Sequence, residues 1–74
     1  MNDRDKRLAD FLTEVAAKIV WSHNEKNSSI NCYAVDGKPF IVQRFANEGW
    51  EIYIPAHPSN TVELTLSAVR RYLA

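Results

Sequence analysis

The chain has little glycine, little proline and a single cysteine. Its 74 residues include two Gly, three Pro and one Cys. This composition excludes collagen-like and low-complexity chains, and both glycines stand in segments that read as turns, so none remains for a glycine-rich phosphate-binding loop. One cysteine can form neither an internal disulfide nor a Cys-x-x-Cys metal site. We therefore expect a fold that is held together without covalent cross-links.

The chain also lacks net charge and long apolar segments. Nine Lys and Arg balance nine Asp and Glu, and neither half is strongly basic or acidic, so electrostatics does not favour nucleic acid or an anionic membrane. No apolar run approaches the roughly 20 residues that a membrane span needs. The first residues lead into an amphipathic segment and not into a signal peptide. These features predict one soluble, cytoplasmic domain over residues 1–74 with no membrane contact.

Small size limits the stability that such a chain can reach alone. A domain of this length buries only roughly 60% of its unfolded surface, and its core rarely supplies more than about 3–5 kcal/mol. Without disulfides or a metal, association with another chain is the remaining common means of stabilisation. The composition therefore favours self-association, as a homodimer for example, or binding to a partner.

The N-terminal third has the apolar spacing of a helix. Five apolar side chains recur at intervals of three and four residues, which predicts a helix over about residues 3–23: Leu8, Phe11, Leu12, Val15 and Ile19. Trp21 lies off this stripe. Either the helix ends just before Trp21, or an exposed Trp21 contacts something outside the core.

Three β-prone segments follow, over residues 30–35, 40–46 and 50–55. Asp36-Gly37 is a typical two-residue hairpin turn, and Asn47-Glu48-Gly49 suits a three-residue loop with a left-handed glycine. Pro55 and Pro58 are expected to end the third strand, because proline cannot donate a backbone hydrogen bond.

The C-terminal segment has two interpretations. Residues 61–66 alternate like a strand, whereas an apolar stripe and an Asn60–Glu63 capping box favour a helix. We predict a helix over about residues 61–73, with a start as late as Thr65 also compatible. The resulting fold class is α+β in the order α-β-β-β-α, a three-stranded antiparallel meander with two helices packed on one face.

The predicted hairpins divide the strand residues between two sheet faces. Pairing of Ala46 with Trp50 matches even positions with even positions, and the first hairpin matches odd with even. The expected core face carries Tyr33, Val35, Phe40, Val42, Ala46, Trp50, Ile52 and Ile54. The opposite face carries Ile30, Cys32, Ala34, Ile41, Gln43, Phe45, Glu51 and Tyr53.

The second face is more apolar than a solvated sheet face should be. Apolar patches beyond a few hundred Å² on small domains usually mark interfaces, although scattered surface hydrophobics are normal and a different turn would reverse the third strand. We predict a protein interface centred on Ile41, Phe45 and Tyr53. Its remaining candidates are Ile30, Gln43, Glu51 and, as an outlying binding residue, Trp21.

No motif in the chain points to catalysis, a cofactor or a metal. His23, Cys32 and His57 are the only soft ligand types, and they lack the close spacing of zinc ligands. A mid-strand Cys32 is more typical of a small apolar filler than of a nucleophile. Nucleophile-elbow and phosphate-loop patterns are absent. We therefore expect a non-enzymatic protein with no cofactor and no metal site.

Nucleic-acid binding is the alternative function. The predicted α-β-β-β-α order is similar to that of double-stranded-RNA-binding domains, but their second helix begins with a lysine cluster and this one with Thr61, Val62 and Glu63. Phe45 and Tyr53 could stack on bases, yet the nearby basic side chains are offset by glutamates.

We expect a small protein-interaction module. The alternative is a nucleic-acid-binding regulatory or inhibitory protein, such as one of a mobile element, that uses the open sheet or the C-terminal helix.

Overall fold

The computed structural model describes residues 3–46, 49–54 and 66–74, together with the backbone of 62–63. The elements are α1 (Asp3–Glu14), β1 (Lys18–Asn24), β2 (Ser28–Val35), β3 (Lys38–Phe45), β4 (Gly49–Ile54), β5 (Val62–Glu63) and α2 (Leu66–Leu73). The strands form one antiparallel sheet in chain order. The α+β class is confirmed, and the predicted three-stranded meander is the centre of a five-stranded sheet.

The predicted helix over residues 3–23 is wrong in its second half. Helix α1 ends at Glu14, and Lys18–Asn24 forms strand β1. Ile19 and Val20 are β-branched and stand beside Trp21, and all three residue types favour strands. The element order is therefore α-β-β-β-β-β-α, and the similarity in order to double-stranded-RNA-binding domains does not hold.

Helix α1 ends in a left-handed cap at Ala16. Ala16 has a φ of 55°, its amide donates to the carbonyl of Thr13 over 3.1 Å, and the next amide, that of Ala17, donates to the carbonyl of Leu12 over 3.0 Å. These two bonds form a Schellman motif, in which the left-handed position is usually glycine. The cap reverses the chain direction, so that β1 runs back beside the sheet.

An Ala16→Gly substitution is expected to stabilise the protein. A left-handed conformation costs an L-residue about 1–2 kcal/mol, whereas glycine adopts it freely. Glycine also loses more chain entropy on folding, so the expected net gain is about 0.5–1 kcal/mol, measured by urea unfolding. Ala9→Gly, in the exposed interior of the same helix, should instead lose about 1 kcal/mol. Equal losses in both variants would contradict the role of the cap.

The two predicted hairpins are present. Asp36 and Gly37 have φ values of 50° and 81° and join β2 to β3 with Val35 opposite Lys38. Gly49 is left-handed with a φ of 87°.

The predicted pairing of Trp50 with Ala46 is wrong. Trp50 pairs with Arg44, but the shift of two residues leaves every side chain of β4 on the predicted face. Ala46 itself lies in an exposed turn after β3. The predicted roles of Asn47, Glu48, Pro55 and Pro58 lie outside the described residues.

The C-terminal segment contains both a short strand and a helix. Val62 and Glu63 pair with Ile54 and Tyr53 as a short edge strand, and α2 begins only at Leu66. The predicted helix start at Thr61 is therefore wrong, because backbone pairing with β4 takes the first residues of the segment. The Asn60 capping interaction lies outside the described residues.

Both helices pack on one face of the sheet, as predicted. Leu8 and Phe11 of α1 and Val69 of α2 are buried in one cluster with alternate residues of the central strands, namely Phe40, Val42, Ile52 and Ile54. The rings of Phe11 and Phe40 meet edge to face at 6.4 Å. The helices thus cover the even positions of β3 and β4, and the odd positions face away from them.

The two helices also contact each other through Arg70. Its guanidinium donates to the carboxylate of Glu14 over 2.9 and 3.1 Å and lies 5.0 Å from the ring centre of Phe11. The hydrogen bond lowers the pKa of Glu14 and raises the pKa of Arg70. This pair joins the last turn of α1 to α2 on the helix side of the molecule.

Candidate functional site

The side of the sheet that faces away from the helices forms a continuous surface, here called the open face. One apolar row crosses four strands through direct pairs and consists of Trp21, Cys32, Ile41 and Tyr53, and at its β4 end the backbone of Tyr53 pairs with that of Glu63 in β5. The next row consists of His23, Ile30, Gln43 and Glu51. None of these side chains is in the helix-covered core or among the partly buried hydrophobics packed against it. The open face therefore has no helix over it in the described part of the chain.

Strand β1 brings Trp21 into this surface. Trp21 pairs with Cys32 and is 47% exposed. A helix through residue 21 would have placed the indole elsewhere, so its position beside Cys32 follows from the cap at Ala16. Trp21 is consequently the end of the apolar row and not an isolated outlier. Its role in binding stays a prediction.

The three central candidates have different surroundings on the open face. Ile41 and Tyr53 are direct partners, so their Cβ atoms are within about 5.5 Å of each other. Phe45 pairs with Ser28 on one side and Gly49 on the other. Neither neighbour has a bulky side chain, so the half-buried Phe45 ring stands apart from the row. A substitution at Phe45 therefore tests the surface without disturbing the packing within the row.

Polar groups occupy the second row. Gln43 and Glu51 are direct partners, and Ile30 pairs with Gln43. At the edge of the row, His23 lies opposite Ile30, and its Nε2 is 3.2 Å from the carboxylate of Glu25. The open face thus has an apolar row beside a mixed row. In the mixed row, the imidazole of His23 lies on β1 and the carboxylate of Glu51 lies on β4.

Cys32 fills the space between Trp21 and Ile41 and is only 7% exposed. Burial raises the pKa of its thiol, which disfavours the thiolate needed for attack or metal binding. Among the described residues, no group of three or more His, Cys, Asp or Glu lies close enough to hold a metal ion. His57 lies outside those residues.

Strand β1 forms an exposed edge of the sheet, whereas the sequence predicted a helix here with Ile19 on its apolar stripe. Every residue of β1 is exposed, with Ile19 and Val20 each at 60%. The register shifts between Ile19 and Trp21, which leaves Val20 as an extra residue in a β-bulge. The sequence interpretation missed this edge because Ile19 also fits the helical stripe. The consecutive β-branched pair Ile19-Val20 was the signal for a strand.

A polar cavity of about 500 Å³ lies at one end of the sheet. Its lining residues are Asp5, Asn27, Ser28, Ser29, Arg44, Phe45, Ala46 and Gly49. Arg44, the cation among them, is 3.1 Å from the carboxylate of Asp5. Asp5 and Arg44 neutralise each other in this ion pair. The cavity therefore offers hydroxyl and amide groups to a ligand, without an unpaired cation at Arg44.

Three basic side chains at the sheet ends and on the helix side, Arg44, Arg70 and Lys38, make contacts within the protein. Arg44 pairs with Asp5 and Arg70 with Glu14. The Nζ of Lys38 donates hydrogen bonds to the carbonyl oxygens of Tyr72 and Ala74 over 3.4 and 3.1 Å. These contacts place the three cations at the sheet ends and the helix side, away from the apolar row.

Neither helix has the length and apolar character needed to cross a bilayer, as far as the described residues extend. A comparison of the chain with protein-family models, curated proteins and solved structures finds no match.

Proposed function

We propose that this protein is a cytoplasmic, non-enzymatic interaction module that binds another protein chain through the open face. The observation that carries the proposal is the apolar row of Trp21, Cys32, Ile41 and Tyr53, which crosses four strands and which neither helix of the described residues covers. Antiparallel sheets usually present polar side chains on the face turned to water. An apolar row at that position is stabilised when a partner covers it.

The side-chain types of the open face also suit a protein partner. Trp and Tyr are enriched among residues that dominate binding energy. Trp21 and Tyr53 stand at the two ends of the apolar part of the row, which Glu63 of β5 follows. Gln43 and Glu51 provide hydrogen-bonding groups beside it. Apolar side chains supply affinity through burial, while the polar pair restricts the orientation of the partner.

Nucleic-acid binding has less support. Affinity for nucleic acid depends on cations that are free to contact phosphates, whereas Arg44 and Arg70 are paired with carboxylates. Glu51 also adds a negative charge to the surface on which bases would stack. If this alternative were correct, binding to single- or double-stranded nucleic acid would be strong at low salt and fall steeply as salt rises.

A Phe45→Glu substitution is expected to abolish association without unfolding the protein. Phe45 lies outside the helix-covered core, so the fold should persist, while a carboxylate in the interface would be desolvated. The ring is already half-buried in the monomer, so loss of its contact is worth about 1 kcal/mol per copy. Burial of the new carboxylate adds to this cost, and the expected loss of affinity is tenfold or more. Sedimentation equilibrium and mass spectrometry of cross-linked partners from cell extract measure the effect.

Ala9→Glu provides the matched control, because it adds the same charge at an exposed position of α1. It should retain both self-association and capture of partners. The proposal is wrong if the unaltered protein stays monomeric at high micromolar concentration and all three forms capture the same proteins.

A further inference from the structure

We infer that the occupant of the open face is a second copy of this chain, bound face to face about a two-fold axis that runs parallel to the strands between β2 and β3. This inference rests on the proposed function and names its partner. Such an axis places β1 of one copy over β4 of the other, and β2 over β3. Sheets that pack in this aligned way keep their strand directions within about 30° of each other.

The area of the open face suits a small dimer. Strands lie about 4.8 Å apart and rise about 3.4 Å per residue, so the four longer strands present a footprint on the order of 450 Å². Two such faces cover about 900 Å² of plane, and the projecting side chains bring the accessible area to about 1,000 Å², the lower limit for a specific interface. The whole protein measures 30 × 27 × 20 Å, so a footprint of this size fits on one side of the molecule.

The rows of the open face complement themselves about this axis. Trp21 lies over Tyr53 of the second copy, and the small Cys32 lies over Ile41 of the second copy. In the polar row, His23 lies over Glu51 of the second copy, and Ile30 over its Gln43. Each contact occurs twice, as two-fold symmetry requires. Aromatic groups thus meet aromatic groups, and an imidazole meets a carboxylate.

A two-fold axis at right angles to the strands gives poorer contacts. It would reverse the rows and place Ile41 over Gln43 of the second copy and Tyr53 over its Glu51. Gln43 faces an isoleucine about either axis, but here Glu51 would face an aromatic ring in place of the imidazole of His23. A buried carboxylate without a partner costs free energy. Charge and size therefore favour the axis parallel to the strands.

Charge changes at residues 23 and 51 test the arrangement. His23→Glu should weaken the dimer tenfold or more, because each new carboxylate lies over Glu51 of the second copy. Glu51→Lys should weaken it as well, by removing the carboxylate that faces His23. An equimolar mixture of the two variants should form a heterodimer in preference to either homodimer, as measured by native mass spectrometry and sedimentation equilibrium. Asn24→Glu, one residue further along β1 and on the helix-side face, is the matched control and should dimerise normally.

The outcomes separate this inference from the proposed function. A protein that is monomeric at high micromolar concentration overturns the inference, and the proposed function then stands only if Phe45→Glu loses a partner that Ala9→Glu retains. A dimer that His23→Glu leaves unchanged, or a mixture without preference for the heterodimer, overturns the face-to-face arrangement. Because His23→Glu also places a carboxylate beside Glu25, thermal melting of each variant confirms that the fold is intact.

Discussion

Replacing Phe40 with alanine is expected to remove most of the stability of this protein. Phe40 is fully buried, stacks on Tyr33 at 5.7 Å and contacts Phe11 edge to face at 6.4 Å. Truncation of a buried Phe to Ala typically costs about 3–5 kcal/mol, which equals the roughly 3–5 kcal/mol that a core of this size supplies. Urea unfolding followed by circular dichroism should show no cooperative transition for Phe40→Ala.

Two further variants make this prediction measurable. Phe40→Leu keeps much of the volume and should retain a cooperative transition with a loss of about 1.5 kcal/mol. Phe45→Ala removes the same side chain from the open face and should cost about 1 kcal/mol, since that ring is only half-buried. If Phe40→Ala and Phe45→Ala unfold at the same urea concentration, the helix-covered face is not the core.

A Val69→Asp substitution is expected to detach α2 from the sheet. Val69 is fully buried, and its neighbours in the cluster are all apolar. A carboxylate at this position would lose its hydration without gaining a partner, which costs several kcal/mol. Helical circular dichroism should fall, and the backbone amides of α2 should exchange with solvent much faster than those of β3.

Ser67→Asp separates the effect of burial from the effect of charge. Ser67 is exposed in the first turn of the same helix, where a negative charge interacts favourably with the helix dipole by about 0.3–1 kcal/mol. This variant should therefore keep α2 docked. Equal hydrogen exchange in the two variants would mean that burial of Val69 does not hold the helix in place.

Local patterns were sufficient to predict the central part of the fold. The turn residues Asp36-Gly37 and Gly49 specified the two hairpins, and the period of two in a strand then assigned each side chain to a face. An error of two residues in the pairing of Trp50 did not matter, because a shift by an even number preserves the face. The faces of β2, β3 and β4, and with them Ile41 and Tyr53, could be placed from sequence alone.

The first strand could not be placed in this way. The apolar spacing from Leu8 to Ile19 continues through the point where the chain reverses, and Ala16 has no sequence preference for a left-handed cap. Strand β1 is held by pairing with β2, a contact between segments that local periodicity does not report. For the same reason, Trp21 could be identified as unusual but could not be located on the open face.

The chain-order arrangement of the sheet has a consequence for the folding rate. Each strand pairs with the strand that precedes or follows it in the chain, so the sheet can grow by successive short hairpins with a small entropic cost of loop closure. The ion pair between Glu14 and Arg70 instead joins residues 56 positions apart. Docking of α2 must therefore wait until the intervening sheet has brought the chain ends together, which makes it the late step of folding.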